Sequence, residues 1–108
     1  MRTAFAALLV FASFSAQAQS LVTIKSLGIG CRSQEAIGQI ARISADRDWP
    51  ALAKRIEEDE RNGECVQWQP SQRAFVNGLA AGGTLACLRA EGAATCFWTP
   101  SNFYATER

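Results

Sequence analysis

Residues 84 to 99 read "TLACLRAEGAATCFWT". Two runs of strand-forming residues flank Glu91-Gly92, which predicts a β-hairpin with those two residues as its loop. In that register Ala90 faces Ala93, Arg89 faces Ala94, Leu88 faces Thr95 and Cys87 faces Cys96. The closing pair of such a hairpin is hydrogen-bonded, and pairs then alternate. Cys87 and Cys96 therefore fall at a non-hydrogen-bonded position, where Cα atoms lie about 4.5 Å apart. That separation is within disulfide reach, so Cys87 is expected to pair with Cys96. The same alternation puts Leu85 and Trp98 on one face of the hairpin, and Leu88 and Phe97 on the other. A hairpin apolar on both faces belongs to a sheet covered on both sides. Helices on the outside and a barrel-like interior satisfy that requirement.

The chain has four cysteines, Cys31, Cys65, Cys87 and Cys96, and four cysteines allow three pairings. Once the hairpin pair is assigned, Cys31 is left with Cys65. That bridge would clamp the base of whatever lies between residues 31 and 65 to the sheet. On chain entropy it contributes about 4 kcal/mol, and the hairpin bridge about 3 kcal/mol. Both are large beside a total stability of roughly 5 to 15 kcal/mol. Zinc binding and thiol catalysis favour C-x-x-C spacings, which this sequence lacks. No metal and no cofactor are expected.

The first residues explain why disulfides are expected at all. Arg2 precedes an apolar run from Ala4 to Phe14, and Ala16-Gln17-Ala18 follows with small residues at both ends. This is the layout of a secretory signal peptide, residues 1–18, with cleavage after Ala18. The run is too short for a membrane span of about 20 residues. Residues 19–108 then form one small disulfide-stapled domain that is periplasmic or secreted, with no stable membrane insertion after cleavage. The whole chain carries 11 Lys and Arg against 10 Asp and Glu, with no histidine. Losing Arg2 brings the domain to formal neutrality, a poor match for nucleic acid. The absence of histidine removes the commonest general base.

Upstream of the hairpin the hydrophobic period changes. "LVTIKSLGIG" (21–30) reads as a first strand ending in a turn at Gly28 and Gly30. "CRSQEAIGQIARISA" (31–45) sets Ala36, Ile37, Ile40, Ala41 and Ser44 on one helical face, with Ser33 or Cys31 as cap. Residues 46–64 predict a second helix, capped by Asp48, opened by Pro50 and stopped by Asn62-Gly63. Its expected apolar stripe is Trp49, Leu52, Ala53 and Ile56. The acidic run "EEDE" (57–60) is expected to be absorbed by pairs four residues apart, Lys54–Glu58, Arg55–Asp59 and Glu57–Arg61. "CVQWQ" (65–69) and "RAFVNG" (73–78) then read as strands, and "SNFYATER" as a tail. The expected fold is α+β: a small antiparallel sheet or SH3-like barrel, β-α-α-β-β-β-β, with a helical hairpin on one side and two disulfides.

Chemistry is sparse. "LGIGCRS" (27–33) lacks the third glycine of a dinucleotide fingerprint. Paired acids such as Asp46 and Asp48 could in principle do acid–base work, although Asp48 is expected to cap a helix. The aromatics after Cys96, together with Arg89, form the expected contact surface: Arg89, Trp98, Phe103 and Tyr104, residue types that dominate binding hot spots. The expected function is a small exported binding or accessory domain, inhibitor-like or subunit-like, that recognises a protein, peptide or cell-wall ligand. The alternatives are a small hydrolase using acidic residues and a structural component of an envelope assembly.

Overall fold

The computed structural model describes residues 20–106; the expected signal peptide lies outside them. The described chain runs β1 (Ser20–Ile24), β2 (Gly28–Cys31), α1 (Gln34–Ala45), α2 (Trp49–Arg61), β3 (Cys65–Trp68), β4 (Arg73–Ala80), β5 (Leu85–Ala90), β6 (Cys96–Pro100) and β7 (Tyr104–Thr106). Short 3₁₀ turns, Ala81–Gly83 and Ser101–Phe103, precede β5 and β7. All seven strands form one antiparallel sheet, ordered β3-β2-β6-β5-β4-β1-β7. This is the α+β fold expected, with two helices on one side of the sheet and both disulfides paired as predicted.

The strand order requires the sheet to roll. β6, β5 and β4 lie between β2 and β1, which would put those two strands about 19 Å apart in a flat sheet. Only residues 25–27 join them, and the chain from Ile24 to Gly28 reaches at most about 14 Å. The sheet therefore curls on itself, helped by a bulge in β4 between Val76 and Gly78. The sheet does not close, and β3 and β7 remain as its edges.

Rolling creates two cores. Inside the curl, Val22, Ile24, Trp68, Ala74, Ala86 and Leu88 form one buried cluster, joined by Phe97 and Tyr104. The Trp68 indole Nε1 donates to Thr99 Oγ1 at 2.8 Å, so its polar edge is satisfied in the interior. Gly30 is required here, because a Cβ on it would fall 2.6 Å from Thr99 Oγ1 and 2.7 Å from Trp68 Nε1. Outside the curl, Cys31, Ala36, Ile37, Ile40 and Cys65 form the second cluster, with Leu52, Ile56, Leu85 and Trp98 packed against it. Leu85 and Trp98 thus face the helices while Leu88 and Phe97 face the interior, as their alternation predicts.

The hairpin register differs from expectation by two residues. Arg89, not Cys87, lies opposite Cys96, and Cys87 lies opposite Trp98. A two-residue hairpin loop of type I′ needs positive φ at both loop residues. Gly92 has φ 83°, but Glu91 does not enter the left-handed region. The chain instead makes a turn in which Ala93 N–H donates to Ala90 O at 2.9 Å, and the strands rejoin only at Cys96. A shift of two leaves every side chain on its face, so the Cys87–Cys96 bridge forms diagonally, with Cα atoms 5.2 Å apart.

Two further differences concern strand count. The turn expected at Gly28 and Gly30 falls instead at residues 25–27, where Lys25 N–H donates to Phe103 O at 2.8 Å, and both glycines lie within β2. The expected tail contributes β7, which pairs Tyr104 with Ile24 and Thr106 with Val22.

Candidate functional site

The helices hold one end of the site. Ser33 caps α1, its Oγ accepting from Ala36 N–H at 3.0 Å, and Glu64 accepts from Ser33 N–H and Oγ–H at 3.1 Å each. Asp48 caps α2, accepting from Ala51 N–H at 3.2 Å. The Cys31–Cys65 bridge ties β2 to β3, the strands that enter and leave the helical pair. Two of the three expected helix ion pairs form, Arg55–Asp59 at 2.6 Å and Arg61–Glu57 at 3.4 Å.

At the other end of β2 a groove of about 440 Å³ lies between the helices and the sheet. Its walls are Leu27 and Ile29 of the β2 segment, Ile40, Ala41 and Ser44 of α1, and Leu52 and Ile56 of α2. Phe103 and Pro100 complete the apolar lining, and Ser44, Gln67 and Asn102 supply its polar atoms. Among the described residues no ionisable side chain lines it. Phe103 is fixed by close approach: a Cβ on Gly28 would fall 2.7 Å from the Phe103 ring. Leu27 is 60% exposed and Trp49 is 56% exposed. Trp49, Leu52 and Ile56 share one face of α2 by their helical spacing. Of the expected apolar stripe, Leu52 and Ile56 are half-buried while Trp49 and Ala53 are exposed; Trp49 opens the first turn of α2, where the groove-lining face meets solvent.

Of the four expected contact residues, only Phe103 lines this groove. Trp98 is half-buried in the cluster beneath the helices. Tyr104 packs against the interior cluster. Arg89 lies elsewhere on the sheet, its guanidinium 5.0 Å from the centre of the Phe75 ring and its Nη1 donating to Ala93 O at 3.2 Å. The four do not form one surface. Ile40, Ala41 and Ser44 come from the expected face of the first helix, whereas Leu27 and Asn102 join them only because the sheet rolls. The nearest available hint was Leu27, a large apolar residue between Ser26 and Gly28, where the chain turns from β1 to β2.

The acids do not converge. Asp46 and Asp48 are exposed in the link between the helices, and Asp48 is engaged as a cap. Asp59 is buried and paired with Arg55. Among the described residues no cluster of three potential metal ligands occurs, and no helix is long and apolar enough to cross a membrane. Two disulfides point to a non-reducing compartment. No family model, no curated protein and no solved structure matches this chain, so its functional reading rests on its own residues.

Proposed function

We propose that this is an exported binding domain, periplasmic or secreted, that holds an uncharged, apolar segment of a protein or peptide in the groove between the helical pair and β2. The observation that carries the reading is the groove itself. It is apolar and of ligand size, with a few polar atoms to orient a guest. Exposed Leu27 at its margin enlarges the apolar surface available to a partner. The signal-peptide layout of residues 1–18 and the two disulfides support export.

The hydrolase alternative is less favoured, because Asp46 and Asp48 stand in solvent rather than in a cleft. A component that assembles through sheet edges is also less favoured. The edge strands β3 and β7 span only four and three residues, and short edges discourage strand pairing between chains.

Affinity capture tests the reading. The oxidised domain, residues 19–108, serves as bait in an extract of exported proteins, beside an Ala41→Trp variant that fills the groove from an exposed position. The expected result is a bound protein or peptide that the variant loses at an unchanged melting temperature. Equal capture by both baits would refute groove binding.

A further inference from the structure

The two disulfides differ in the properties that govern thiol exchange, namely access and local charge. Cys31 and Cys65 are 0% and 2% exposed, beneath the helices. The carboxylate Oδ2 of Asp59 lies 3.7 Å from Cys65 Sγ. A bridged sulfur has no proton to donate, so this contact places an anion beside the bond, held in position by Arg55. Cys87 and Cys96 present the opposite arrangement. Cys87 is 4% exposed, but Cys96 is partly exposed at the start of β6. Its register partner is Arg89, so a cation sits on the same face, held by the Phe75 ring and the Ala93 carbonyl.

We propose that Cys96 is a thiol-exchange site, open to attack by a small or protein dithiol in the folded state, while Cys31–Cys65 is an inert staple. The attacking thiolate forms a new S–S bond to Cys96 Sγ. The Cys87–Cys96 bond breaks, its electron pair leaving on Cys87, which takes a proton from solvent. The second thiol of the reagent, as thiolate, attacks its own sulfur in the mixed disulfide and releases Cys96. The dithiol loses two electrons and the protein disulfide gains them. During attack one negative charge spreads over three sulfurs; Arg89 favours that charge, and Asp59 opposes it at the buried bond. The hairpin does not depend on the bridge for its shape, since β5 and β6 pair at five positions and Leu88 is locked in the interior.

The experiment treats the oxidised domain with dithiothreitol at mildly alkaline pH, alkylates free thiols over time and maps them by mass. Cys87 and Cys96 should be labelled an order of magnitude or more before Cys31 and Cys65, with the far-ultraviolet circular dichroism unchanged. Arg89→Gln should slow labelling of Cys87 and Cys96 several-fold and leave Cys31 and Cys65 as they were. Asp59→Asn should speed opening of the buried bridge. Simultaneous opening of both bridges, earlier opening of Cys31–Cys65, or an Arg89→Gln rate equal to wild type would overturn the proposal.

Discussion

The two faces of the rolled sheet are built to different standards. The inner face holds most of the wholly buried side chains: Leu88, Ala74 and Ala86 are sealed from solvent, Trp68 is matched by Thr99, and a pocket of about 220 Å³, half the groove's volume, opens beside Val66, Trp68, Ala90 and Phe97. The outer face is covered by two helices anchored at their disulfide end, and its other end stays open as the groove. The fully buried side chains are concentrated on the inner face, and the larger apolar opening is left on the outer one, where a partner can enter. The fold depends on the first face, and the proposed binding depends on the second.

Substitutions can break that contrast or sharpen it. Leu88→Ala leaves a cavity in the inner core and should cost about 2–5 kcal/mol. Leu52→Ala, on the half-buried groove wall, should fall at or below the low end of that range; equal losses in denaturant titrations would erase the distinction between the faces. Thr99→Val strips Trp68 Nε1 of its buried acceptor and should cost about 1–3 kcal/mol, read from the same titrations. Gly38→Ala acts in the reverse direction. It lies inside α1 with nothing within 4 Å of an added Cβ, so thermal unfolding should register a gain of roughly 0.5–1 kcal/mol. Leu27→Ser should change stability by less than about 0.5 kcal/mol yet weaken partner capture.

Local rules made much of this legible. Both helix caps, the Asn62-Gly63 stop, the disulfide pairing and the facing of Leu85, Trp98, Leu88 and Phe97 follow from residue type and period. The facing survived a register error because a two-residue shift conserves parity. What was not legible depends on distant partners. β7 exists because Tyr104 finds Ile24 some eighty residues earlier in the chain. The turn falls at residues 25–27 because β1 and β2 join opposite sides of the curl. Phe103 joins the groove because Gly28 admits its ring, which no spacing within "SNFYATER" signals. Arg89 stays on the outer face diagonal to Trp98 and lies over Phe75 of the neighbouring strand, while Tyr104 turns to the inner cluster.

The groove's role is tested most directly by site-specific photocrosslinking. A benzophenone-bearing residue replaces either Ala41, in the groove, or Phe75, on the sheet beside Arg89, and each oxidised domain is irradiated in an extract of exported proteins. Groove binding predicts a discrete adduct from position 41 and none from position 75. An adduct from position 75 with none from position 41 would contradict it and would place the contact surface beside Arg89.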